Sequence, residues 1–258
     1  MHFIIFGNVP LSSWVLDTLL KRPSANVIGA VATIKKVDFT SHCLDYPSLA
    51  EFAVQNKIAL LNEDEAIKYA STDKKVLGLT VRYPNILRKD YILSFNQGIL
   101  NFHGGLLPGY RGMDIATHVI INNEDKSGAT IHYLDEGVDT GDIVSRGIFP
   151  LQGNETAHDI FLKTQAQLQE EFLKLLPKII KNEIPRISQQ KFIVEGEPVG
   201  VYRRKDTNRL REVKPPFDEN KIDRFARAFS FPGHEPAYIS VNAGRIELIK
   251  KSNTNSQR

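Results

Sequence analysis

Asn101 and His103 stand two residues apart at the end of a short apolar run, Gly98–Phe102. The stretch Gly104-Gly105-Leu106-Leu107-Pro108-Gly109-Tyr110-Arg111-Gly112 follows directly. In a strand, the period of two puts Asn101 and His103 on one face and turns Phe102 into packing. One surface then carries an amide and an imidazole that titrates near neutral pH. At the C-terminal edge of a parallel sheet, such a surface is where α/β proteins hold ligands. The four glycines of the loop permit close backbone approach. The pair alone is equally compatible with capping a turn. A second segment, Asp135-Glu136-Gly137-Val138-Asp139-Thr140-Gly141-Asp142, is acidic and glycine-bounded. Gly137 and Gly141 suit a constrained backbone presenting the Asp139 carboxylate; alone, the segment is more often a hairpin loop than a site.

The elements that must position these residues alternate. His2–Phe6 reads as a first strand ending at Gly7, and Leu11–Lys21 as an amphipathic helix with Leu11, Val15, Leu19 and Leu20 at helical spacing. Asn26–Ile34, Ile58–Leu61 and Lys75–Thr80 read as strands, with Gly98–Phe102 the next. Ser48 and Glu51 form a capping box that opens a helix to Asn56. Strands separated by helices predict an α/β fold, Rossmann-like, with a mainly parallel sheet. Gly112–Asn122 reads as a helix, and Gly128–Leu134 and Ile143–Pro150 as strands around the Asp139 segment. Thr156 and Asp159 cap the longest helix, which runs to Lys181. Composition changes over 182–190, which divides the chain into a main domain, 1–182, and a small C-terminal subdomain, 183–258. The subdomain reads as short strands, one helix around Lys221–Phe229, and a polar, disordered tail from Lys250 to Arg258.

Composition sets further bounds. In 258 residues, 41% hydrophobic and 24% charged residues describe a globular chain, not a disordered one. The apolar stretches fall short of the ~20 residues of a membrane span, and the N-terminus lacks the basic region of a signal peptide. A net charge of +3 is too mild to argue for nucleic acid. Residues 190–258 hold 14 basic and 9 acidic side chains, which suits either a phosphorylated ligand or a solvated surface. The lone Cys43 excludes a disulfide framework and points to the cytosol. His42 beside it has no third ligand nearby, so no metal is expected. Gly7-Asn8-Val9-Pro10 follows the first strand without completing G-x-G-x-x-G, which weakens a dinucleotide reading.

Asn101-x-His103-x-x-Leu106-Leu107-Pro108, followed by Asp139-Thr140-Gly141, resembles the formyltransferase family that uses N10-formyltetrahydrofolate. The resemblance covers Met1 to about Lys181. The loop 103–112, the segment 119–143 and the later stretch Lys221–Leu248 look most like the members acting on nucleotide-linked amino sugars. The resemblance implies that an acceptor amine attacks the formyl carbon. Asn101 would donate to the formyl oxygen as charge develops there, and His103 would take or relay the amine proton. Asp139 would orient His103 and stabilise its charged form, or act through a water. It further implies N10-formyltetrahydrofolate as co-substrate, with Tyr83, Asn85, Ile86 and Leu87 lining the pterin slot together with Asp135, Gly137 and Val138. Ordinary core is the less favoured reading of Ile86 and Leu87, and Arg88, a candidate for the anionic folate tail, reads more readily as a solvated charge.

For the acceptor, the implied contacts are Tyr110 and Arg111 beside the catalytic pair, then Tyr202, Arg203, Arg204 and Phe231, with solvation and packing as the competing readings. The favoured acceptor is a dTDP-4-amino-4,6-dideoxy sugar, with GDP- and UDP-linked sugars behind it. The product would be an N-formylated sugar for bacterial surface polysaccharide such as lipopolysaccharide O-antigen. Methionyl-tRNA and glycinamide ribonucleotide are the rival acceptors within the family. A non-catalytic folate or sugar-nucleotide binding protein is the rival of another class. Family habit implies a homodimer, without nucleic acid or membrane partners.

Overall fold

The computed structural model describes residues 1–32 and 44–250. The elements are β1 (His2–Gly7), α1 (Pro10–Leu20), β2 (Asn26–Ala32), α2 (Leu49–Gln55), α3 (Glu63–Thr72), β3 (Val76–Val81), α4 (Lys89–Ser94) and β4 (Ile99–His103). There follow β5 (Arg111–Gly112), α5 (Ile115–Ile121), β6 (Lys126–Tyr133), β7 (Ile143–Pro150), α6 (Ala157–Lys181) and α7 (Gln189–Val194). The last are β8 (Val201–Tyr202), α8 (Arg204–Leu210), α9 (Glu219–Ala228), β9 (Ala237–Val241) and β10 (Gly244–Leu248).

Six strands form one sheet in the order β2-β1-β3-β4-β6-β7. β2, β1, β3 and β4 run parallel, and β6 pairs antiparallel with both β4 and β7. The fold is α/β with a largely parallel sheet, as the alternation of elements predicts. A strand buried on both faces must be apolar throughout, and β1 is. Phe3 and Ile5 enter a core shared with α1 and α6, whereas Ile4 and Phe6 enter a second core with α3 and α4. Phe172 of α6 is fully buried between Trp14 and Phe102, with ring centroids at 6.1 and 5.3 Å. Phe172→Ala is therefore expected to destabilise the fold by about 3–5 kcal/mol. The loss would read as a lower denaturation midpoint at unchanged slope; an unchanged midpoint would mean this core does not hold the sheet.

Several expectations need correction. Ile58–Leu61 is not a strand: Leu60 makes one isolated bridge to Ala30 and is otherwise exposed. The helices α3, α4, α7 and α8 were not expected, although Asn62 and Glu65 form a complete capping box for α3. The end of the second expected strand, His42, Cys43 and the tail beyond Lys250 lie outside the described residues. Residues on the two sides of the composition change over 182–190 are hydrogen-bonded and packed together. Ile187 exchanges backbone hydrogen bonds with Ile143 of β7 at 2.8 and 2.9 Å. A third core joins Tyr110, Ile115 and Val119 to Val213, Phe229 and Ala237. Among the described residues, no helix is long and apolar enough to cross a membrane.

Candidate active site

The pleat of β4 directs Asn101 and His103 to one face and buries Phe102 against α6. β3 and β6 flank β4, and their registers set Thr80 and His132 beside Asn101. Thr80 Oγ1 donates to Asn101 Oδ1 at 2.9 Å, which fixes the amide so that Nδ2 carries the donors. His132 Nδ1–H donates to the Tyr133 carbonyl at 2.8 Å, leaving Nε2 to accept from Asn101 Nδ2 at 3.1 Å. His103 is anchored in the same way: Nε2–H donates to the Tyr110 carbonyl at 2.6 Å. Nδ1 is then the nitrogen left to take a proton.

The loop 134–142 leaves β6 beside the first half of β4 and folds back across this face. Asp139 Oδ1 lies 3.4 Å from Asn101 Nδ2 and 3.3 Å from His132 Nε2. Its Oδ2 accepts the Gly112 N–H at 2.8 Å and lies 3.6 Å from His103 Nδ1. The last separation is too long for a direct hydrogen bond, so Asp139 acts on His103 through charge. Gly137 and Gly141 do not supply positive φ here; Asp139 itself does, at 51°. The glycines are needed for space, because a Cβ on either would come within 2.0 Å of Thr140 Oγ1 or the Tyr133 carbonyl. Left-handed backbone at a non-glycine residue costs about 1–2 kcal/mol, so the loop holds its carboxylate under strain.

Burial would raise the Asp139 carboxyl, but the charge of His103, the bond and charge of His132 and the Gly112 N–H outweigh it. The carboxyl lies well below the usual range and is ionised near neutral pH. Burial lowers His103, Asp139 pulls it back up in part, and His132 and Arg82 lower it again, so it sits below its ordinary 6.5. His103 is thus a neutral base through the physiological range. The acid limb of kcat/KM is expected below pH 6.5. Asp139→Asn, which removes the one nearby charge that raises His103, moves it lower still; a limb at or above 6.5 in the wild type contradicts this environment.

The other expected site residues divide. Tyr83 and Asn85 are tied to Glu63 of α3, at 2.6 and 3.0 Å. Leu87 is buried in the second core, whereas Ile86 is 93% exposed. Asp135 accepts from Gly137 N–H and Thr140 Oγ1, at 3.1 and 2.6 Å, and so shapes the loop. Val138 is 56% exposed. Lys89 bridges the segment that holds Ile86 to that of Val138 through Glu136, at 2.5 Å. Tyr110 and Tyr202 stack on each other at 5.2 Å, and Asn122 donates to both hydroxyls. Tyr110 is buried, so these two rings serve packing of the third core instead of offering a free face. Arg111 is bonded to Gln189.

Arg204 pairs with Asp114 at 2.9 Å, while Arg203 is exposed at the start of α8. Phe231 packs on Phe161, His158 and His234. Arg82, which sequence reading did not single out, follows β3 and lies 5.0 Å over the Phe161 ring. His234 is lowered by lost hydration and by the charges of Arg204 and Arg82, with Asp114 opposing them. His132 was also missed. Its signal is the cross-strand register with Asn101, which needs the antiparallel turn of β6 to be known. Among the described residues, no group of three His, Cys, Asp or Glu side chains could hold a metal.

Residues 2–178 match the formyl transferase family, and the chain belongs to it. The chain is 25% identical over 231 residues to the GDP-perosamine N-formyltransferase of Brucella melitensis biotype 1, covering 86% of this chain and 85% of that protein. It is 33% identical over 184 residues to the methionyl-tRNA formyltransferase of Clostridioides difficile, covering 68% of this chain and 59% of that protein. The fold matches the N-formyltransferase from Helicobacter canadensis solved with folinic acid and dTDP-3-aminofucose, with TM-score 0.76, 24% identity and coverage of 93% and 84%. It also matches a 4-N formyltransferase from Francisella tularensis, with TM-score 0.77, 19% identity and coverage of 98% of each chain.

Proposed function

We propose that this protein transfers a formyl group from N10-formyltetrahydrofolate to the amine of a nucleotide-linked amino sugar. The observation that carries the reading is the convergence of Asn101, His103 and Asp139 on one face of β4, in a chain of the formyl transferase family. The sugar branch is favoured because the likeness to the GDP-perosamine enzyme covers 86% of this chain and 85% of that protein, against 68% and 59% for the Clostridioides difficile methionyl-tRNA enzyme. Exposed Ile86 and Val138, on two segments bridged by Lys89 and Glu136, offer an apolar rim that fits a flat heteroaromatic ring.

When bound, the folate supplies an activated one-carbon acyl group. Asn101 Nδ2 donates to the acyl oxygen as negative charge builds there. His103 Nδ1 takes the proton that the acceptor amine loses on forming its new C–N bond, and returns it to the leaving nitrogen. Asp139 stabilises the imidazolium between those events. Arg82, Arg204 and His234, beside Phe231, suit a diphosphate and its base; Arg203 and Arg111 are further acceptor-side cations. The finer proposal is a dTDP-4-amino-4,6-dideoxy sugar, formylated for a bacterial surface polysaccharide. A homodimer belongs to the same proposal, with exposed Val241 and Ile246 on the β9–β10 hairpin available for it.

Turnover of the formyl donor against dTDP-, GDP- and UDP-linked amino sugars tests this reading, with glycinamide ribonucleotide and initiator methionyl-tRNA as rivals. Turnover with one sugar nucleotide supports it. Turnover only with a rival, or none while the donor is bound, overturns it.

A further inference from the structure

We infer that Gln189, on α7 and outside the residues that match the family, is a positioning residue that holds Asp139 in its working place. The inference rests on the formyl-transfer reading for its kinetic consequence, but not for its geometry. The Gln189 amide has four hydrogen-bonding positions, and this structure uses all of them. Nε2 donates to the carbonyls of Asp139 and Gly141, each at 2.8 Å. Oε1 accepts from Arg111 Nε at 3.1 Å and Nη2 at 2.7 Å. The amide cannot be turned over, because that would set NH₂ against a guanidinium and oxygen against two carbonyls. Gln189 is buried, so no water replaces these partners at low cost.

The four bonds close a frame around Asp139. Its backbone is strained, at φ 51°, and Gln189 grips the carbonyl on that residue and on Gly141. Its side chain is gripped by the Gly112 N–H. Arg111 and Gly112 make up β5, which pairs with β8, so Arg111 carries the Gln189 bond while its neighbour carries the Asp139 bond. Without Gln189 two carbonyls lose donors and the loop is free to relax toward ordinary backbone, which carries the carboxylate away from His103 and His132. A segment read from sequence as a separate subdomain thus completes the site of the main domain.

Gln189→Met keeps the volume and removes all four bonds without adding charge. Two measurements on the full chain test the role. The first is the His103 titration in the ligand-free protein, followed by NMR on histidine-labelled samples and assigned by its loss in His103→Ala. Burial, His132 and Arg82 lower it, whereas the Asp139 charge and the hydrogen bond to the Tyr110 carbonyl raise it. Asp139 is the one charge that raises it, so a loosened Asp139 shifts the midpoint down. The second is formyl transfer: kcat is expected to fall by at least about tenfold and up to about 10²-fold, with KM little changed.

A downward midpoint together with a kcat loss supports the inference. A downward midpoint in a protein whose wild type formylates no amine keeps the positioning role and overturns the formyl-transfer reading instead. A lower melting temperature with an unmoved His103 midpoint and normal kcat overturns the inference and leaves Gln189 as structural glue. If Gln189→Met does not fold, Gln189→Asn carries the same readouts, because it keeps the amide but shortens its reach.

Discussion

His103→Ala is expected to lower kcat by about 10²–10⁴-fold, the range for removing a positioned general base. That corresponds to about 3–5 kcal/mol of transition-state stabilisation. The size follows from how little else can do the job. His132 is the nearest other imidazole, but its Nδ1 is committed to the Tyr133 carbonyl and its Nε2 accepts from Asn101 Nδ2. Asp139 is too acidic to accept a proton near neutral pH. Folding should survive with a modest loss, because the substitution orphans only the Tyr110 carbonyl, at about 1–3 kcal/mol. A folded His103→Ala protein with turnover within a few-fold of wild type would remove His103 from the mechanism.

Asn101→Ala is expected to cost about 10²–10³-fold in kcat, as for loss of one oxyanion donor. The fold-change should fall on kcat with KM nearly constant, since the bond to the developing charge forms only in the transition state. Thr80 Oγ1 can turn to the Leu100 carbonyl, already 3.3 Å away, so the stability loss comes from buried His132 Nε2, which loses its donor, at about 1–3 kcal/mol. Asn101→Asp sharpens the test. It keeps the shape but removes the donor and sets a second carboxylate where Asn101 Nδ2 now lies 3.4 Å from Asp139. One of the two carboxyls must then rise in pKa, so Asn101→Asp should be at least as slow as Asn101→Ala and slower with increasing pH. Near-normal turnover by Asn101→Ala would reject the oxyanion role.

The parts of the site legible in the sequence are those set by local geometry. The period of two put Asn101 and His103 on one face, and the glycines around Asp139 marked a constrained loop presenting its carboxylate. The parts that depend on pairing were not legible. His132 reaches Asn101 only because β6 runs antiparallel to β4, and nothing within either strand states that register. Gln189 stands in a polar stretch with no period at all; its role exists only once Ile187 has joined the edge of β7. Tyr110 has partners that the sequence did not show. An aromatic residue beside a glycine loop reads as a ligand contact, yet its hydroxyl is bonded to Glu124 at 2.6 Å and its ring is stacked on Tyr202. For the fold, strands buried on both faces were clear from their apolar runs. α4 and α8, of 6 and 7 residues, are too short to show a helical period.

The central claim is that Asn101, His103 and Asp139 move a formyl group onto an amine. The most direct measurement supplies the folate donor with a ¹³C-labelled formyl carbon and follows that carbon by NMR, with an amino-sugar nucleotide as acceptor. The account predicts that the label appears in a formamide on the sugar with wild-type protein, and does so far more slowly with Asn101→Ala or His103→Ala. Label that stays on the folate, is released as formate without reaching the amine, or is transferred equally fast by both variants would contradict it.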